Sequence, residues 1–145
     1  MAKAYRLGRA NQLINLLFRT LTRLGLGASY RHILTVPGRR TGSPHSTPVD
    51  VIELDGRRYL VAGYGPAGWV RNTRAAGEVT LSRGRRTDHF RAVEADPEEA
   101  IPVLRKYITL IRVTRAYFDA SPDSPDDAIA AELQRHAVFR LVATP

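Results

Sequence analysis

The chain has 145 residues, 43% hydrophobic and 25% charged, a length and balance that suit one globular domain with a single sizeable core. It contains no cysteine, which excludes disulfides, thiolate nucleophiles, iron–sulfur clusters and zinc–cysteine sites, and fits a reducing cytoplasm. The formal charge of +8 is confined to the first third: residues 1–49 carry eight basic side chains (Lys3, Arg6, Arg9, Arg19, Arg23, Arg31, Arg39 and Arg40) and no acid, while the other 14 basic residues balance all 14 acidic ones. Such asymmetry points to an anionic partner for that part of the chain, whether phosphate, a membrane surface or nucleic acid. Twenty of the 22 basic residues are arginine, so an anion site here is guanidinium-lined and suited to bidentate contacts.

Residues 3–25 read as an amphipathic helix. Leu7, Ala10, Ile14, Leu17, Leu21 and Leu24 recur at three- and four-residue spacing, Leu13, Leu16 and Phe18 widen the stripe, and Gly25 and Gly27 end it. Its polar face carries arginines and no acids. That pattern belongs to helices on anionic membranes, and equally to a helix packed on a barrel with its basic face in water. The longest apolar run, Leu13 to Phe18, is broken by Asn15 and falls far short of the roughly 20 residues a membrane span needs. No small-residue cleavage site accompanies it, so a signal peptide is not expected.

From Tyr30 the period becomes that of strands. Tyr30–Val36, Ser46–Leu54 and Arg57–Ala62 are the first three, with Asp55-Gly56 as a two-residue hairpin signal. A glycine-rich loop, Gly63–Gly68, leads to a short helix, Trp69–Ala76. Two further strands, Glu78–Ser82 and Arg86–Glu94, are joined by a turn at Arg83-Gly84. Asp96 caps a long helix with Pro97 at its first position, and the helix is expected to run to about Phe118. A polar loop or helix start at Ser121–Asp127, a helical stretch over 128–135 and a last strand, Val138–Val142, complete the chain. Hairpins with few crossover helices predict an antiparallel barrel: α+β, mainly β, one domain over 1–145, with the N-terminal helix in 1–27 and the barrel in 30–145.

Gly63-Tyr64-Gly65-Pro66-Ala67-Gly68 matches the dinucleotide fingerprint literally, yet the helix after it is too short for a βαβ crossover and the strand before it is a hairpin arm. Gly38-Arg39-Arg40-Thr41-Gly42, between two strands, is a better anion cradle: two guanidiniums beside backbone N–H groups in a tight turn, or else a solvated basic loop. The four histidines, at 32, 45, 89 and 136, have no metal-ligand spacing, and no metal site is expected. Arg83, Arg85, Arg86 and Arg91 are diluted by Glu78, Asp88 and Glu94, so a nucleic-acid partner is not expected. Tyr107, Tyr117 and Phe118 fit core packing or the wall of a planar-ligand pocket.

The segment Leu34-Thr35-Val36-Pro37-Gly38-Arg39-Arg40-Thr41-Gly42-Ser43-Pro44-His45-Ser46-Thr47-Pro48 resembles the signature of the deazaflavin-dependent nitroreductases. Gly68-Trp69-Val70-Arg71-Asn72-Thr73-Arg74-Ala75, followed by Val79-Thr80-Leu81, resembles that family's W-x-x-N-L-x-A segment and the strand after it. The family consists of actinobacterial relatives of the pyridoxamine-phosphate-oxidase-like flavoproteins, and the resemblance covers roughly residues 30–110. It implies a six-stranded antiparallel split β-barrel and the cofactor coenzyme F420. It also implies that Arg39 and Arg40, with the backbone around Thr41 and Gly42, bind the coenzyme's phosphate and carboxylate tail. His45 stands at an anion-site position where arginine is common. Thr47 and Pro48 match residues bordering the deazaflavin ring, Ala62, Gly63 and Tyr64 its other wall, and Trp69 and Asn72 the residues that close the pocket. The loop after the third strand is shorter than in the nitroreductase subgroup and lacks its lysine.

A reduced deazaflavin is a hydride donor, and the protein need only orient it against an acceptor. The expected activity is therefore hydride transfer to a quinone, nitroaromatic or unsaturated carbonyl, with the Tyr64 or Tyr117 hydroxyl donating to an acceptor oxygen. The competing expectation is a non-enzymatic module of the same fold that holds a fatty-acid-like ligand at a membrane surface. The resemblance also implies peripheral contact of the N-terminal helix with the inner face of the cell membrane and, as in many split barrels, a homodimer.

Overall fold

The computed structural model describes residues 12–14, 16–17 and 30–144. Six strands, β1 (Arg31–Pro37), β2 (Pro44–Leu54), β3 (Arg57–Val61), β4 (Glu78–Arg83), β5 (Arg86–Glu94) and β6 (Val138–Ala143), close into an antiparallel barrel in the order β1-β2-β3-β6-β5-β4. Beyond the helical residues at 12–14 and 16–17, the described residues form the helices α1 (Gly68–Ala76), α2 (Pro97–Leu110) and α3 (Asp126–Glu132), with a 3₁₀ turn at Arg115–Tyr117. The expected split-barrel class and all six strands are present, their ends moved by one or two residues.

The register explains the two cores. Leu34 pairs with Thr47 and Leu81, Val51 with Leu60, Leu60 with Phe139, and Val79 with Phe90. Because side chains alternate across a strand, these partners and Val36, Val49 and Leu141 all point inward and fill the barrel. The intervening residues Ile52, Tyr59, Val61 and Val138 point outward, where α2 covers them with Ala100, Val103, Leu104, Tyr107 and Ile108. Asp96 caps α2 by accepting from the Glu99 N–H at 2.9 Å. Glu99 in turn accepts from the Tyr59 hydroxyl at 2.9 Å and from Arg140, which ties the start of α2 to β3 and β6.

The long helix is shorter than its periodicity predicts. It ends at Leu110 and not at Phe118, because Ile111 turns into extended backbone and buries its side chain. Arg115 then folds back, and its guanidinium donates to the carbonyls of Ile108 and Thr109 that the helix leaves open. Tyr117 therefore lies on the 3₁₀ turn, free of the helix axis. Most of the helix expected over 3–25 lies outside the described residues. Residues 12–14 and 16–17 are helical, and Leu13, Ile14, Leu16 and Leu17 are exposed by 47–68%.

Candidate cofactor cleft and anion turn

The β1–β2 connection is a tight loop. Gly42 N–H donates to the Gly38 carbonyl at 2.9 Å, Gly38 N–H to the Ser43 carbonyl at 2.7 Å, and Ser43 N–H to Thr41 Oγ1 at 3.2 Å. Gly42 has a φ of +76°, which favours glycine. A Cβ on Gly38 would come within 2.7 Å of His45 Nε2, so the imidazole packs on the bare face of that glycine. Arg39 and Arg40 are both exposed, and among the described residues no carboxylate lies within ion-pair distance of either.

Asn72 has a different place from the one expected. It is buried on α1, and its Oδ1 accepts from both the Arg39 backbone N–H (3.1 Å) and the Arg39 guanidinium (2.9 Å). Asn72 thus fastens the anion turn and orients one of its arginines. It does not line the cleft. The acidic oxygen needed to neutralise Arg39 is absent there: an amide holds the guanidinium in position and leaves its charge available.

Further along β2, a cleft of about 100 Å³ is lined by residues of β2, of the end of β3, of the Gly63–Ala67 loop and of the two helices α1 and α2. Its lining includes four of the expected ring-side residues other than Tyr64, namely Thr47, Pro48, Gly63 and Trp69, and Tyr64 itself. Val49, Asp50, Val61, Gly65, Ala67 and Tyr107 complete it. Ala62 is not among them: it is buried in the barrel, with its N–H donating to the Ala137 carbonyl. Thr41, Gly42 and His45 belong to the anion turn. Tyr117 is not a lining residue, but its ring lies 5.1 Å from that of Tyr64 in an edge-on arrangement.

Sequence reasoning singles out neither Asp50 nor His136 for this region, whereas it reads Tyr107 as core packing or the wall of a planar-ligand pocket. Tyr107 is buried from α2, and its hydroxyl occupies the space a Cβ on Gly63 would need, 1.8 Å away. Burial and the neighbouring Asp50 push its phenol pKa up. Asp50 is drawn into the cleft wall on β2, where burial pushes its carboxyl up to about 6, against the pull of Arg31 at 3.8 Å. His136 is buried between two backbone carbonyls, Ala62 (2.7 Å from Nδ1) and Tyr117 (2.9 Å from Nε2), and stacks on Phe118 at 3.7 Å. Burial pushes the pKa of this imidazole down, and the two carbonyls oppose that. Its position links the end of β3 to the turn that carries Tyr117.

A positively charged turn whose guanidiniums meet no carboxylate among the described residues, joined by one strand to a cleft with glycine and aromatic residues in its wall, suits an anionic, tailed, planar cofactor. A sequence model of the family described as F420H(2)-dependent quinone reductase matches residues 20–121. The chain belongs to that family. Its cofactor is coenzyme F420, and its class of chemistry is that of an oxidoreductase. Solved structures agree on the fold at low identity. An F420-H2 dependent reductase (FDR-A) is 16% identical over 78% of this chain and 94% of its own, with a TM-score of 0.53. A protein described as a domain-swapped dimer is 16% identical over 91% and 96%, with a TM-score of 0.59. HutZ, the heme storage protein of Vibrio cholerae, is 14% identical over 95% and 92%, with a TM-score of 0.56. No curated protein sequence matches the chain.

The residues present fit F420 on geometric grounds. The tail's phosphate and carboxylates need cationic donors, and Arg39 and Arg40 supply two without competing carboxylates. The ring needs a cleft with backbone and aromatic walls, and Gly63 and Gly65, together with Tyr64, Trp69 and Tyr107, line one.

Proposed function

We propose that the chain, acting as one domain over residues 1–145, transfers a hydride from reduced F420 to a small organic acceptor of quinone, nitroaromatic or conjugated carbonyl type. The observation that carries this reading is the continuity of the anion turn with the cleft: β2 runs from His45 at the turn to Thr47, Pro48 and Asp50 at the cleft wall. Arg39 and Arg40 hold the coenzyme's anionic tail, with the Thr41–Gly42 backbone and His45 beside them. Thr47, Pro48, Gly63, Tyr64 and Trp69 border the ring, Ala62 supports that wall from behind, and Asn72 keeps Arg39 in place. When bound, the reduced deazaflavin supplies the hydride. The Tyr64 hydroxyl, at the cleft mouth, and Tyr117 beside it orient the acceptor's oxygen by hydrogen bonding.

Exposed Leu13, Ile14, Leu16 and Leu17, together with the basic excess of residues 1–49, support peripheral contact with the inner face of the cell membrane, where quinones reside. Among the described residues no helix is long and apolar enough to cross a membrane. The neighbour that forms a domain-swapped dimer supports a homodimer. The same exposed leucines are what a non-enzymatic lipid-binding reading would use. Fluorescence titration with oxidised F420, with FMN as control, separates the two. Preferential F420 binding and oxidation of reduced F420 by menadione are expected, and binding of neither would leave lipid extraction from the purified protein as the next step.

A further inference from the structure

Resting on that reading, we propose that Asp50 is the catalytic acid that protonates the reduced acceptor. Asp50 lines the same cleft as Thr47, Tyr64, Trp69 and Tyr107. Hydride addition to a quinone or conjugated carbonyl leaves the negative charge on an oxygen. The O–H bond of the Asp50 carboxylic acid breaks, its proton joins that oxygen, and the resulting carboxylate is reprotonated from water. The deazaflavin is oxidised by two electrons and the acceptor reduced by two.

The surroundings suit that task. Asp50 sits one position from the inward-facing Val49 and Val51, so its side chain is on the outer face of the barrel, beneath α2 and not in the apolar interior. Its side chain is 15% exposed, which burdens the charged form, and its carboxyl is pushed up to about 6. The groups that face it are few. From β1, Arg31 stands at 3.8 Å and favours the carboxylate. From α2, Tyr107 is held by its contact with Gly63, and Tyr64 comes from the loop, with Tyr30 near Tyr107 before β1. A carboxylic acid titrating near 6 is a stronger proton donor than an ordinary phenol at about 10, while remaining partly protonated at neutral pH. An acid of this kind at a ligand cleft costs stability and is retained where it does chemistry. Tyr64 and Tyr117 then orient the acceptor, and Asp50 supplies the proton.

Two measurements test the assignment, the first on the protein alone. Carbon-13 NMR of the side-chain carboxyl is expected to give a midpoint near 6 for Asp50, and a midpoint near 4 overturns the proposal. The second compares wild type, Asp50→Asn and Arg31→Ala in F420 binding and in the pH dependence of menadione reduction by reduced F420. For wild type, kcat is expected to fall as pH rises above about 6. Asp50→Asn is expected to bind F420 within about twofold of wild type, to lose about 100-fold in kcat at pH 6 and to lose the falling limb. Arg31→Ala, lacking the counter-charge, moves the limb to higher pH. A limb that persists in Asp50→Asn with F420 bound overturns the role of Asp50 alone. Failure of wild type to bind F420 overturns the oxidoreductase reading and this inference with it.

Discussion

Two hairpin turns of this barrel are rich in arginine, and they are built to opposite ends. In the β4–β5 turn, Arg86 is ion-paired to Asp88 at 2.8 Å and Arg83 donates to the Arg31 carbonyl at 2.8 Å. In the β1–β2 turn, Arg39 is held by the neutral amide of Asn72, and neither it nor Arg40 meets a carboxylate among the described residues. The difference teaches that arginine count does not mark an anion site. A guanidinium whose fork a carboxylate already occupies, as at Arg86, has lost attraction for a phosphate, whereas Arg39 and Arg40 keep theirs. The carboxylates divide in the same way: Glu94 is paired with Arg74 at 2.7 Å and its pKa is lowered, whereas Asp50 is in the cleft and its pKa is raised.

Four experiments would break or sharpen that contrast. The largest effect is expected from replacing Arg39 and Arg40 together with alanine. Loss of two charge-assisted contacts, each about 1.5–3 kcal/mol, should weaken F420 binding at least 100-fold by fluorescence titration, with little change in melting temperature. Next comes Asp50→Asn as a stability probe. The folded pKa of Asp50 lies above its usual 3.8, so the native state binds more protons between about pH 4 and 6 and loses stability as pH rises through that window. Removing the charge should stabilise the protein at pH 8, by up to about 3 kcal/mol, and not at pH 3. Urea unfolding at the two pH values checks this; equal effects at both would mean the carboxyl is not strained.

A smaller effect, about tenfold in F420 affinity, is expected for Asn72→Ala, which frees Arg39 without removing it. An unchanged affinity would show that the guanidinium needs no positioning. The smallest belongs to the other turn: alanine at Arg83, Arg85 and Arg86 should leave the F420 affinity within twofold. If this triple variant weakened binding as much as the Arg39/Arg40 pair, the distinction between the turns would fail, and the effect of arginine would be a diffuse one of net charge.

Much of this was legible from local chemistry. Asp55-Gly56 adopts φ values of 53° and 74°, as a two-residue hairpin turn demands, and Asp96 caps α2 as its position before Pro97 predicts. The motif around Gly38–Gly42 and the Trp69–Asn72 segment pointed to the family and to most of the cleft. The roles of Asn72 and Ala62 did not follow, because each depends on a partner 33 and 75 residues away, Arg39 and Ala137, that no local pattern encodes.

By itself, then, the amino-acid order determined the strands, their hairpins and the basic character of the first third, since each follows from spacing, turn propensity or charge along the chain; the cofactor class came from the resemblance of two segments to a known family. Tertiary structure alone decided three things. It stopped α2 at Leu110, where burial of Ile111 and the returning Arg115 outweigh continued helical periodicity. It left Arg39 and Arg40 without carboxylates among the described residues while pairing Arg86 of the other turn with Asp88. And it closed α2 over the outer face of β2, so that Asp50, an ordinary polar residue in a strand, became a largely buried acid lining the cleft.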